Sequence, residues 1–225
     1  MLGMIEQLMP ELMKMKGVEQ SSPHVFEVWI HTLSVLDYLE KILFNLLSAQ
    51  AAVLGGGDAA LSEVKFKNEF AEALQTQLGK FREQIHTHFS ESLNIDRTHR
   101  SLLFLAALYH DVCKPDTKTI DENGRIRFFN HDVKGADVVA ERARSFNLSN
   151  DEVERLSVII KNHMRIHSFT SKLEYENEYP TRKAIYRFFR DAGKAGIDLI
   201  LLALADMRGT RDKEMTLQTW NIYLE

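Results

Sequence analysis

The chain has 225 residues, 27% of them charged, and a formal net charge of -4. This length suits one helical domain with a buried core, and the charge lacks the basic excess that would by itself predict tight binding to a phosphate backbone. The single cysteine, Cys113, excludes an intrachain disulfide and a cysteine-based zinc knuckle, and a reducing cytoplasm fits it best.

With 4 prolines and 11 glycines, and with apolar residues recurring at intervals of three and four, the chain predicts about eight to ten helices. The N-terminal MLGMIEQLMPELMKMKG reads as a first helix ending near Gly17, and it mixes Glu and Lys into its apolar residues in a way a signal peptide does not. No apolar run approaches the ~18 residues of a membrane-spanning helix, so a soluble protein with no membrane partner is expected. After the connector GVEQSSPH, a long helix is expected from about Val25 to Leu47, and the run Gly55-Gly56-Gly57 separates it from the next. Leu61 to Ser90 form a second long amphipathic pattern. From Arg97 to His110 the run SLLFLAALY is apolar all round, which predicts a central helix.

In KTIDENGRIRFF, Asn123-Gly124 between β-branched and aromatic residues predicts one short hairpin near 118–129 with a type I′ turn, the only sheet expected. A helix from His131 to Phe146 follows, and Ser149 with Glu152 forms a capping box for the next, which ends around His163. Pro180-Thr181 opens a helix to about Ala192, and Ile197 to Met207 form an apolar one ending at Asp206. The expected fold class is all-α.

Several polar residues interrupt these apolar faces. His110-Asp111 closes the most apolar helix, where a carboxylate needs a cation and the adjacent imidazole favours a metal. His163 continues the stripe Val153, Leu156, Ile159 and Ile160, His31 lies between Val28 and Val35, and Asp206 extends Leu199, Leu202 and Ala203. His131 shares a face with Gly135, whose missing side chain would leave room for a metal and a phosphate. Any one of these taken alone reads more readily as a hydrogen-bonded core residue. Four imidazoles and two carboxylates aimed inward together suit one or two ions of Mn, Fe, Co, Ni or Zn, with Mg admissible, better than Ca.

The order H…HD…H…H…D resembles the HD superfamily of metal-dependent phosphohydrolases. More narrowly, PELMKMKGVEQ, VWIHTLSVLD, HDVCKP, DENGRIRFFNHDVKGAD, LSNDEVERLSVIIKNHM, PTRKAIYRFFRDAG and LALADMRGT resemble the HD domain of bacterial CCA-adding tRNA nucleotidyltransferases. The resemblance implies an HD-type helical bundle over residues 1–225, with a helical insertion at about 46–100 on which the family is silent. It implies that His31, His110, Asp111 and Asp206 hold one metal, that Asp111 bridges to a second held by His131 and His163, and that Lys114 meets the substrate phosphate. Two ions so bridged would activate water and neutralise phosphoryl charge, with Asp111 and Lys114 as the catalytic pair. The chain has no Asp-x-Asp pair and no room for a nucleotidyltransferase head, so nucleotide addition is not expected. It also lacks the acidic pair after HD expected of a guanosine-tetraphosphate hydrolase and the GYP expected of a cyclic-di-GMP phosphodiesterase.

The expected activity is therefore hydrolysis of a phosphomonoester or phosphodiester of a nucleotide, a 2′,3′-cyclic phosphate or an RNA end. Arg165, Arg208 and Arg211, near His163 and Asp206 in sequence, are candidates for binding its phosphate. The alternative is a noncatalytic module that binds tRNA or a separate protein, for which Arg182, Lys183, Arg187, Arg190 and Lys194, clustered around one late helix, are the candidates. His86 and His88 read as surface residues, Cys113 as a buried filler, and His24 and Trp29 as packing or lining the mouth of the site.

Overall fold

The computed structural model describes residues 2–47, 68–95 and 97–225. The expected first helix is divided. Helix α1 (Leu2–Leu8) stops before Pro10, which opens a separate 3-10 turn, Pro10–Met15. Proline has no N–H to continue the ladder and disfavours helical geometry at the residue before it, here Met9 with φ −139°. Helix α2 (Val28–Leu47) starts three residues later than expected, because the Glu27 carboxylate accepts from the Trp29 and Ile30 N–H groups at 3.0 and 2.9 Å.

The glycine run and residues 61–67 lie outside the described residues. The rest of the second long pattern folds as two helices, α3 (Asn68–Leu78) and α4 (Arg82–Ser90), joined by a 3-10 turn at Gly79–Phe81. A second antiparallel ladder, β1 (Ser92–Asn94) with β2 (Arg97–Thr98), corrects the expectation of a single sheet. Thr98 then caps α5 (His99–Tyr109) by accepting from the Ser101 N–H, which is why that helix starts two residues late.

After the short α6 (Lys114–Thr117) comes the expected hairpin, β3 (Lys118–Ile120) against β4 (Ile126–Phe128). Its turn is not type I′. Asp121 pairs with Arg125 across Glu122-Asn123-Gly124, and of these three only Gly124 takes a positive φ, +75°. The Asp121 carboxylate accepts from the Asn123 and Arg125 N–H groups, which favours a right-handed turn closed by a left-handed glycine.

Helix α7 (His131–Ser145) packs on α8 (Asn150–Asn162), which carries the capping box as expected: Ser149 and Glu152 bond reciprocally to each other's backbone N–H. The sequence pattern missed α9 (Met164–Glu176), which follows α8 after His163 alone, and α12 (Leu217–Leu224). Helix α10 (Arg182–Ala192) is capped by Thr181, and α11 (Gly196–Arg211) continues four residues beyond Met207.

The central element is α11, buried from Leu201 through Gly209, whereas α5 leaves Arg100 and Ser101 exposed. It lies against α2 at a glycine contact: a Cβ on Gly209 would stand 2.8 Å from Val35 Cγ2 and 3.2 Å from the Val35 backbone nitrogen. Gly135 serves the same end in α7. A Cβ there would meet Ile160 Cγ2 at 3.1 Å and Val112 Cγ1 at 3.7 Å, so this glycine admits close helix packing and leaves no room for a metal or phosphate, contrary to expectation. Among the described residues no helix is long and apolar enough to cross a membrane.

Candidate metal centre

At the end of α5 the chain passes from helix to turn at His110-Asp111, and both side chains are shut off from solvent. Helix α2 brings His31, α11 brings Asp206, the first turn of α7 brings His131, and the junction of α8 and α9 brings His163, all buried. Two groups result. His31, His110 and Asp206 offer ligand atoms within 4.8 Å of one another, and so do Asp111, His131 and His163.

Asp111 faces both. Its Oδ2 is 3.2 Å from His110 Nε2 and 3.5 Å from His31 Nε2, while its Oδ1 is 3.4 Å from His131 Nε2 and 3.9 Å from His163 Nε2. On the α11 side, Asp206 Oδ1 lies 3.1 Å from His31 Nε2.

Three imidazoles have their outer nitrogen fixed. Nδ1 of His110, His131 and His163 lies 2.7, 2.8 and 2.6 Å from the carbonyls of Ala107, Phe128 and Ile160. A carbonyl only accepts, so each Nδ1 carries a proton and donates it, which leaves the Nε2 lone pair directed at the centre. The His131 and His163 Nε2 atoms stand 3.2 Å apart. Two bare lone pairs at that distance repel, whereas two donors each about 2.1 Å from one cation and about 100° apart have this separation. His31 Nε2 and His110 Nε2 are buried without a hydrogen bond, although both face Asp111 Oδ2 at ion-pair distances, an oxygen that Lys114 also approaches at 2.7 Å. Orphaned polar atoms of this kind are costly unless something charged joins them. The donor set fits one or two divalent ions.

The ionisation states agree with that fit. Burial works against the charge on Asp111, yet His110 and Lys114 hold it well below the usual carboxylate range; His167, His31 and His110 do the same for Asp206. Burial, then His131 and His110, pushes His163 down to about 3, so it is a neutral donor. Burial also disfavours a proton on His110, but the Asp111 carboxylate outweighs it and raises the pKa, drawing a proton to the place a cation would take.

Lys114 Nζ lies 2.7 Å from Asp111 Oδ2 and donates to Gln20 Oε1 at 2.6 Å, at the floor of a cavity of about 590 Å³ that also reaches His131 and Asp206. Two of the three arginines expected to bind phosphate are elsewhere. Arg165 pairs with Asp191 at 2.8 Å, and Arg208 is buried over the Phe70 and Tyr38 rings at 4.4 and 4.7 Å; neither lines the cavity. Arg211 does line it, held by Glu174 at 2.9 Å.

His24 lines the cavity with its ring edge-on to His31, 5.3 Å between centroids, and Trp29 packs in the core. Cys113 is buried, and burial raises its thiol pKa. His86 is exposed, but His88 is turned inward to Asp198 at 2.8 Å, which corrects its reading as a surface residue. The residue missed outright is His167, whose Nε2 lies 2.8 Å from Asp206 Oδ2 while Nδ1 meets the Tyr223 hydroxyl at 3.1 Å. Its signal was the four-residue spacing from His163, visible only if the helix is continued past that histidine.

The sequence profile of the HD domain matches residues 69–206, more than half of the chain. The chain belongs to the HD-domain family. HD domains bind divalent ions and are typical of the metal-dependent phosphohydrolase superfamily, and the match contains every residue of the two groups except His31, which the fold adds from α2. The match begins inside the segment expected as an insertion. A CC-adding tRNA nucleotidyltransferase of Thermus thermophilus is 34% identical over 119 residues, which cover 52% of this chain and 24% of that protein. The chain thus spans about a quarter of the length of that relative, and its likeness is to an HD domain of the kind that enzyme carries.

Proposed function

We propose that the protein hydrolyses a phosphomonoester or phosphodiester of a nucleotide, a 2′,3′-cyclic phosphate or an RNA end, with residues 1–225 forming one HD-type domain in which 46–100 is inserted. The observation that carries this reading is the pair of three-residue groups sharing the Asp111 carboxylate, with three imidazoles fixed so that their lone pairs converge. His31, His110 and Asp206 would hold one ion and His131 and His163 a second, with Asp111 between. Bound there, divalent ions supply the Lewis acidity that activates water and neutralises phosphoryl charge.

The chain's own groups do the rest. Asp111, ionised at neutral pH, orients the centre from both of its oxygens. Lys114, buried to 5% exposure and tethered by Gln20, presents its ammonium where the cavity meets Asp111 and would meet a phosphoryl oxygen there. Arg211 would add a second positive charge. The test is metal content of purified protein together with hydrolysis of a phosphoester panel under Mn, Co or Ni. His110→Ala and Asp111→Ala should lose metal and activity together, and retained activity in either would overturn the reading.

A second reading, binding of tRNA or a protein without catalysis, draws on α10. Its Arg182, Lys183, Arg187 and Arg190 are all exposed, as is the neighbouring Lys194, and the same helix exposes Ile185, Tyr186 and Phe189. Basic residues interleaved with aromatics suit a nucleic-acid backbone and its bases. A tRNA shift that weakens with salt would support it, and no shift at low salt would remove it.

A further inference from the structure

Two large aromatic side chains stand in solvent at the rim of the cavity. Phe129 is 68% and Tyr175 72% exposed, and both line it, one from the end of the hairpin and the other from α9. Single exposed aromatics are common, but two from separate elements bordering one pocket are not scatter. The backbone fixes the placement of Phe129. Phe128 turns toward Lys114, whose Nζ lies 5.4 Å from its ring centre, and the left-handed Asn130, φ 61°, redirects the chain at once into α7.

Charge in the same lining is unevenly committed. Lys114 is held by Asp111 at 2.7 Å, Arg127 by Asp121 at 3.2 Å and Arg211 by Glu174 at 2.9 Å. Among the described residues, Arg125 is the lining cation with no ion pair, and it is exposed on the hairpin four residues before Phe129. Aromatic π-faces and an uncommitted guanidinium in one cavity lining are the chemistry that takes a nucleobase and a phosphate. Stacking on an aromatic ring accepts any of the bases, because every base has a π-face.

We propose that the cavity mouth is a base-tolerant nucleotide subsite, with Phe129 and Tyr175 stacking the base of the nucleoside that carries the scissile ester and Arg125 meeting the next phosphate along a strand. This rests on the reading of the centre as a phosphoesterase and names its substrate as a nucleotide, preferably one ending an oligonucleotide.

The experiment compares, with Mn bound, glycerol 1,2-cyclic phosphate, the four nucleoside 2′,3′-cyclic phosphates and dinucleotides ending in the same cyclic group. The expected result is a kcat/KM about tenfold higher for nucleoside than for glycerol esters, carried by KM and similar for the four bases. The exposed-site double variant F129A/Y175A should collapse that ratio, and R125A should remove the further gain of dinucleotide over mononucleotide. Equal kcat/KM for glycerol and nucleoside esters, or variants that lower all three substrates alike, would overturn the subsite while leaving the phosphoesterase intact. If no ester is hydrolysed, the phosphoesterase reading fails on its own, and calorimetry with 3′-nucleoside monophosphates decides the subsite. Binding lost in F129A/Y175A upholds it, and no binding by the wild type overturns it.

Discussion

Gly209 sets the approach of α2 to α11 beside the candidate metal centre without belonging to it. The Cβ of Gly209→Ala would sit 2.8 Å from Val35 Cγ2, 3.2 Å from the Val35 nitrogen and 3.5 Å from His31 Nδ1. Non-bonded carbons rest about 3.5–4.0 Å apart, so α2 and α11 must separate by roughly 0.5 Å. Rotating Val35 relieves only the first contact, since the second is to backbone. Overpacking of this kind costs about 1–3 kcal/mol, offset by the about 1 kcal/mol by which Ala is the better helix former. A net loss of about 0–2 kcal/mol leaves the protein folded. The same separation pulls His31, now 3.1 Å from Asp206, away from its partner on the other helix. Calorimetric titration with Mn should therefore show affinity lowered at least about tenfold, because metal ligands tolerate displacements of only about 0.2 Å. Urea unfolding of the metal-free protein should show the small change. Wild-type metal affinity in Gly209→Ala would refute the claim that this contact sets the centre.

Adding Mn or Co to stripped protein should raise Tm; at 100 times Kd the gain of about 2.7 kcal/mol corresponds to about 5–10 °C for a chain of this size, and an unchanged Tm by calorimetry would oppose a built site. Asp111→Asn replaces one facing oxygen by an NH2 group that cannot ligate, so elemental analysis should find less metal retained than in the wild type. His167→Ala frees the Asp206 carboxylate from its 2.8 Å partner and should weaken metal binding about 10–100-fold by titration, while Tyr179→Phe, at a surface pair with Glu225, should not. Glu152, buried and bonded to Arg97 at 2.6 and 3.0 Å, has its carboxyl lowered to about 2 chiefly by that guanidinium. Because the folded pKa lies below the unfolded value, its contribution is fully present above about pH 4.5 and is lost as pH falls toward 2. Arg97→Met should move acid unfolding to higher pH by circular dichroism, and coincident transitions would count against the pair.

What the sequence made legible was whatever periodicity could carry. His31, His163 and Asp206 each extend a stripe of apolar neighbours, so their inward direction followed from spacing, and the Ser149–Glu152 box followed from its own local chemistry. Two of the misses share a cause, which is that tertiary contacts were invisible. Arg208 neighbours Asp206 in sequence, but two helical residues on, it projects about 200° around the axis into the Phe70 and Tyr38 rings. Gly135 looked like empty space because the pattern cannot show Ile160 from α8 filling it. His167 was lost because the helical reading stopped at His163, where α8 gives way to α9 with no proline or glycine to mark the junction.

The adjacency of His110 and Asp111 itself has a physical reason. Successive residues inside a helix point about 100° apart, so these two side chains leave the backbone in different directions and converge through their outer atoms. At the end of α5 the hydrogen bonding tightens: Val112 N–H returns to Tyr109 and Lys114 N–H to Asp111, in a turn that starts α6. His110 Nε2 meets Asp111 Oδ2 at 3.2 Å, and the other carboxylate oxygen is left for the α7 and α8 histidines. The same turn brings Lys114 over that carboxylate from one helical step further on, at 2.7 Å.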